Sequence, residues 1–379
     1  MTTTRLATAF ATALVMTMLG GCMSTPSHDS SISRAHAVAA SAPSTAVLTV
    51  AEAFVSADSL GDELDSLATW PTEDGKTWVI ATAKASHRLV VFDGDSGDRL
   101  RDFGTRGAAA GQFNRPNGIA VHGDLLFVVE RDNRRVQVLH LPEFNPVAMF
   151  GSDELRSPYG IWLHETAPGE LEAYVTDSFM YGERFDVVPP LTELNQRVRR
   201  YRLLHDTMTS LATLLRARYL GSFGDTTAAN ALRMVESIAG DPANDRLLIA
   251  DEDRRHVSTL REYSFAGDFT RRSLPEASFG AEAEGVALWS CPDGSGYWIA
   301  VDQLAPLAVF HLFDRTTLAP RGSFRGALTS YTDGIALHAA GSRSFPGGAL
   351  YAVHADKAVS AFDLREVARM LELPAGCTG

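Results

Sequence analysis

Residues 236–252, "ESIAGDPANDRLLIADE", carry carboxylates at both ends of a strand-like segment: Glu236 opens it, and Asp251 and Glu252 close it. The arrangement recurs along the chain. Glu284 opens a segment that ends at Gln303, and Asp333 opens one that runs to Asp356. Asp65, Asn117 and Tyr159 hold the opening place in three earlier segments, with Lys84, Arg131 and Asp177 at the closing place. Oxygen ligands from Asp, Glu, Asn, Gln and Tyr suit a hard cation, calcium or magnesium, better than zinc. Lys84 and Arg131 suit an anion, most simply phosphate. Carboxylates brought close together raise one another's pKa unless a cation sits among them. The chemistry implied is a site for hard cations and a phosphorylated ligand, provided the fold gathers these residues.

The elements that would gather them are legible as a repeat. "DSLA", "NGIA", "YGIW", "ESIA", "EGVA" and "DGIA" share a polar residue, a small residue, then an apolar run. Each is followed by a turn and a second strand-like run: "TWVIATAK", "LLFVVER", "EAYVTDS", "RLLIADE", "YWIAVDQ" and "LYAVHAD". A third run usually follows, as in "RLVVFD" and "AVFHLF". A period of about 40–50 residues with three or four strands per unit predicts a β-propeller. Six units span roughly 60–365, and "AVLTVAEAF" (46–54) is placed to complete the last blade and close the ring. The fold class expected is all-β, a six-bladed β-propeller. In that architecture the six opening residues converge near the axis. The antiparallel second strands end beside them.

Composition limits the function. The chain has 379 residues and a formal net charge of -12, which argues against nucleic acid as a partner. Residues 1–22 read as a signal segment. An apolar stretch too short to span a bilayer ends in "LGGC", and this resembles a bacterial lipoprotein signal box with Cys22 as the lipidated residue. Residues 23–45, rich in Ser, Ala and Pro, read as a flexible tether before the propeller domain at 46–379. With no aspartate after Cys22, the outer membrane is the expected location, with membrane contact through the lipid anchor alone. Cys291 and Cys377 remain, as a disulfide pair or as two free thiols. A single chain closes a propeller, so a monomer is expected.

On these residues the chain resembles the β-propeller phytases, six-bladed calcium-dependent phosphomonoesterases, over about 60–365. "ESIAGDPANDRLLIADED" is similar to a stretch of that family with matching spacing from Glu236 to Glu252. "AEGVALWSCPDGSGYWIAVDQ" places Glu282, Glu284 and Gln303 on family positions, and "YTDGIAL" with "LYAVHAD" places Asp333 and Asp356. "DSLATW" resembles the acidic first motif, and "ATAKASHRLVVFD" puts Lys84 on the phosphate-binding lysine, with Arg131 near the corresponding arginine. The resemblance implies calcium as cofactor, held by Asp65, Glu236, Glu252, Glu282, Glu284, Asp333 and Asp356. It implies substrate binding by Lys84, Arg131, Gln303 and Tyr159, with Glu236, Lys84 and Arg131 catalytic. The substrate implied is phytate or a related phosphorylated compound, attacked at phosphorus by a calcium-bound water. Two motifs depart from the family. Asp65 is followed by Ser66 and Leu67 in place of further aspartate, and "NRPNGIAV" lacks an aspartate and a trailing basic residue. These departures remove calcium ligands from one half of the site.

The alternative is a non-catalytic propeller. "GAAAGQFNRPNGIAVHGDLLFVVERDNRRVQVLHL" is similar to an NHL repeat, a module that binds protein, glycan or small ligands. The acids of units 4–6 distinguish the two, since an NHL face does not require them. "DGDSGD" (93–98), flanked by strand-like runs, is expected to be a hairpin turn rather than a calcium loop. The segment 207–220 is expected to be a connection followed by the outer strand of the third unit.

Overall fold

The computed structural model describes residues 46–204 and 215–377. The signal segment with Cys22 and the tether at 23–45 lie outside the described residues, as does the start of the 207–220 connection. The remainder of that connection, Arg216–Phe223, is the outer strand of the third blade.

Six sheets follow one another along the chain as the blades of a propeller. The inner strands are Leu64–Pro71, Pro116–His122, Pro158–Ala167, Val235–Asp241, Ala283–Ser290 and Ile335–His338. Each inner strand packs against the next, and the sixth against the first, which closes the ring. The second strands are apolar on both faces because both faces are buried. Val79 and Ala81 face the sixth blade while Ile80 faces the second. Each hydrophobic cluster therefore lies between two neighbouring blades, and the ring is held by side-by-side burial.

Ring closure differs in detail from the single strand expected at 46–54. Val47–Thr49 pairs in parallel with Pro320–Arg325 at the edge of the fifth blade. Phe54–Val55 pairs with Ala358–Asp363 and supplies the fourth strand of the sixth. The segment straddles two blades and staples them to each other. At the other terminus a short helix, Leu364–Met370, is capped by Asp363, which accepts a hydrogen bond from Arg365 N. Leu364 and Val367 sink into the cluster of Phe310, Phe324 and Phe362. Cys291 and Cys377 form a disulfide, with Cα atoms 4.5 Å apart, that ties the C-terminal residues to the turn after the fifth inner strand. The 93–98 stretch is a hairpin turn: Asp93 accepts from Asp95 N and Ser96 N, and Gly97 takes φ 80°.

The repeated polar-small signature has a structural cause. In the first five blades the pairing of inner with second strand slips at the same point, between Leu64 and Leu67 in the first blade and between Val235 and Ile238 in the fourth. The residues in the bulge are the polar opening residue and the small one after it. A Cβ at Gly118, Gly160 or Gly334 would strike the backbone carbonyl of Tyr159, Glu236 or Asp65 in the neighbouring blade. Thr82 and Thr176 knit the bulges together. Thr176 Oγ1 accepts from Gly160 N and donates to Glu236 O, both at 2.7 Å. A central cavity of about 560 Å³ begins one residue after the opening positions, with Gly118, Gly160 and Gly285 among its walls. The opening residues stand at one end of it.

Candidate functional site

The second strands deliver two consecutive residues to that end, and the two do different work. The first is structural. Asp177 accepts from Arg156 N and Ser157 N, Asp251 from Arg233 N and Met234 N, and Asp302 from Gly280 N and Ala281 N. Each carboxylate thus satisfies the backbone that leads into its own blade's inner strand. A basic residue of the third strand stands behind it: Arg199 at 3.2 Å, Arg261 at 3.8 Å and His311 at 3.6 Å. Glu130 does the same in the second blade, accepting from Asn114 N at 3.1 Å and paired with Arg135 at 2.6 Å. Asp177 therefore belongs to the scaffold, not to the polar mouth. The sequence reading placed it one residue out of register, because strand alternation turns successive side chains to different partners.

The residue after each structural acid, or its equivalent, is Lys84, Arg131, Ser178, Glu252 and Gln303. Glu252 meets the opening residues Glu236 and Glu284. One oxygen from each of the three carboxylates lies within 4.8 Å of the others. Glu252 and Glu284 are buried, and Glu252 Oε1 has no hydrogen-bond partner among the described residues. Glu236, Glu252 and Glu284 crowd one another, so their charges oppose ionisation when no cation is bound. Burial first, and the Asp65 charge next, lift Glu236 to about 8. Burial and the Glu236 charge hold Glu252 and Glu284 well above the usual carboxylate range. The donors fit a hard cation: three carboxylates converge, and one oxygen is buried and unused.

In the other half of the mouth a lysine sits among the acids. Lys84 is buried, with Nζ 2.8 Å from Asp65 Oδ1 and 3.2 Å from Asp333 Oδ2. Tyr159 OH donates to Asp65 Oδ1 at 2.9 Å, and Gln303 Nε2 donates to Asp333 Oδ1 at 2.6 Å. Burial, followed by the Asp65 charge, lifts Asp333 to about 7 despite Lys84. Lys84 is itself raised: burial works against its charge, but Asp65, Asp333 and Glu236 outweigh it. Asp356, on the turn after the second strand of the last blade, is pushed up by burial and keeps Oδ1 without a partner. Glu282 precedes the fifth inner strand, and its charge contributes to raising Glu284.

Arg131 is not brought into this cluster. Its side chain is 38% exposed and pairs with Asp132 at 2.7 Å. Two residues escaped the sequence reading of the site. Glu63 lies 4.0 Å from Lys84 Nζ and 3.4 Å from Arg115. Its place just before the first inner strand was the available signal. Asn117 was placed in the ring but given no ligand role. It is fully buried, and neither atom of its amide has a hydrogen-bond partner.

No protein-family model and no curated protein matches this chain. Among solved structures it is similar to the hydrazine synthase of Kuenenia stuttgartiensis, at 14% identity and a TM-score of 0.45, over 83% of this chain and 80% of that one.

Proposed function

We propose that this propeller is a calcium-dependent phosphomonoester hydrolase whose cation is held by Glu236, Glu252 and Glu284, with phytate or a related phosphorylated compound as substrate. The observation that carries the reading is the convergence of those three carboxylates within 4.8 Å, with a buried Glu252 oxygen left unpaired. A bound calcium ion would neutralise phosphate charge and supply a water of lowered pKa. The chain's own residues orient the rest. Asp65 and Asp333 fix the ammonium of Lys84 at the mouth, 2.8 Å and 3.2 Å away. That ammonium is a positive charge at the mouth for a phosphate ester. Gln303 and Tyr159 hold the two aspartates in place by hydrogen bonds. The test is phosphate release from phytate by the purified chain, with calcium and with a chelator. Calcium-dependent release is expected; none with any inositol phosphate or aryl phosphate would defeat the enzyme reading.

A second reading, a cation-binding propeller without turnover, is favoured by one observation. Lys84, Gln303 and Tyr159 all direct donors to Asp65 and Asp333 rather than outward. Calcium binding without phosphate release would support it.

A further inference from the structure

The geometry points to Lys84 as a cation built into the chain, seated where Asp65 and Asp333 would otherwise take a metal ion. The inference rests on the reading of Glu236, Glu252 and Glu284 as a cation site, and it concerns the opposite half of the mouth. Three carboxylates converge on one point there: Asp65 at 2.8 Å, Asp333 at 3.2 Å and Glu63 at 4.0 Å from Lys84 Nζ. Oxygen atoms gathered from two neighbouring blades around a single positive centre are what a hard cation requires. Asn117, next to Asp65 in the ring, adds a fully buried amide whose oxygen and nitrogen have no partner. A buried amide without a protein partner calls for a water or an ion beside it.

Asp65 and Asp333 differ from Glu252 in what remains to be satisfied, although Asp356 Oδ1 in their half also lacks a partner among the described residues. Each oxygen of Asp65 and Asp333 has a donor: Lys84 and Tyr159 on Asp65 Oδ1, Ser66 on Oδ2, Lys84 on Asp333 Oδ2 and Gln303 on Oδ1. Glu252 Oε1, across the mouth, has none. A fixed ammonium repels a divalent ion entering the same oxygen cage, and the low dielectric of a buried site strengthens that repulsion. Lys84 therefore makes the mouth a one-ion site. With its charge removed, the vacated cage offers Asp65, Asp333 and Glu63 to a second ion.

Calcium titration calorimetry on the full chain and on Lys84→Ala tests this. The expected result is one more calcium ion per chain in Lys84→Ala than in the wild type. Lys84→Gln, which keeps hydrogen-bonding capacity toward both aspartates while losing the charge, is expected to gain the same ion and carries the test should Lys84→Ala lose its fold. Equal stoichiometry in the wild type and in the folded variants overturns the inference and leaves the Glu236 site standing. Two ions bound at the mouth of the wild type also overturn it. No ion in the wild type but one in the variants upholds the role of Lys84 and defeats the Glu236 site.

Discussion

Asp251 and Glu252 are adjacent in the chain, yet Asp251 binds the backbone amides of Arg233 and Met234 while Glu252 meets Glu236 and Glu284 at the axis. One carboxylate is satisfied within the scaffold; the other is left with an unpaired oxygen. Their substitutions should separate accordingly. Asp251→Ala strands three amide donors, those of Arg233, Met234 and Asp253, and is expected to cost about 3 kcal/mol or more of stability. Glu252→Gln is expected to leave cation-free stability near or above that of the wild type, because it removes a repelling buried acid. Calcium binding should be lost only in Glu252→Gln. Chemical denaturation paired with calcium titration reads both, and loss of calcium binding through Asp251→Ala in a folded chain would contradict the division.

Calcium should stabilise the fold by mass action. A ligand at a hundredfold excess over its Kd contributes about 2.7 kcal/mol. Thermal unfolding with calcium is expected several degrees above unfolding with chelator in the wild type. Glu284→Gln should abolish that difference, since Glu284 supplies one of the three converging oxygens. A calcium shift that survives in Glu284→Gln would place the cation elsewhere.

The pH dependence follows from the same acids. Asp333 is lifted to about 7 and Glu236 to about 8, by burial and by the Asp65 charge. In the unfolded chain such carboxyls lose their protons near pH 4. Between about pH 4 and 8 these two acids hold more protons in the cation-free fold than in the unfolded chain, so their contribution to stability falls as pH rises through that window. Calcium needs the ionised carboxylates, so its stabilisation should grow over the same range. Melting curves at pH 5 and pH 8, each with calcium and with chelator, check both signs. A change in the cation-free midpoint from pH 5 to pH 8 that is the same in Glu236→Gln as in the wild type would refute the assignment of raised acids.

What was legible in the sequence is what local geometry dictates. The polar-small-aliphatic signature announces the blades because the first five inner strands bulge there, and a neighbour's carbonyl crowds the small residue at Gly118, Gly160 and Gly334. Glu236, Glu252 and Glu284 were likewise legible, since each sits at a fixed place in its own repeat. The partners of Lys84 were not. Asp333 lies 249 residues away, and the contact exists because the ring closes. Arg131 holds the position of Lys84 in its blade but turns to Asp132, a neighbour no repeat pattern reveals. Closure itself was legible only in part, since one apolar run at 46–54 serves two blades.

The disulfide lies away from the acidic mouth, at the turn that follows the far end of the fifth inner strand. It closes a loop of 86 residues in sequence. Cys291→Ser with Cys377→Ser is expected to lower stability by about 2–4 kcal/mol. Calcium affinity should be unchanged, because no element of the mouth is held by that bond. A change in calcium affinity without unfolding would show that the C-terminal staple positions the site.

Gly334 joins the fold to the site most directly. It follows Asp333, and a Cβ there would meet the Asp65 carbonyl and lie 2.7 Å from Ser66 Cα. Both obstacles are backbone, so neither yields as a flexible side chain would. Gly334 O also accepts from Val353 N at 3.0 Å, which fixes the glycine to its own second strand. The strain of Gly334→Ala must therefore spread into the contact between the last and first blades, where Lys84 bridges Asp65 and Asp333. Overpacking of this kind costs about 1–3 kcal/mol. Gly280→Ala is the control, since its added carbon meets the tip of Leu304 at 3.2 Å, which can move. Gly334→Ala is expected to lower the melting temperature more than Gly280→Ala and to reduce the protection of the first inner strand from hydrogen exchange. Equal losses in the two variants would mean that the blades close without the tight approach at Gly334.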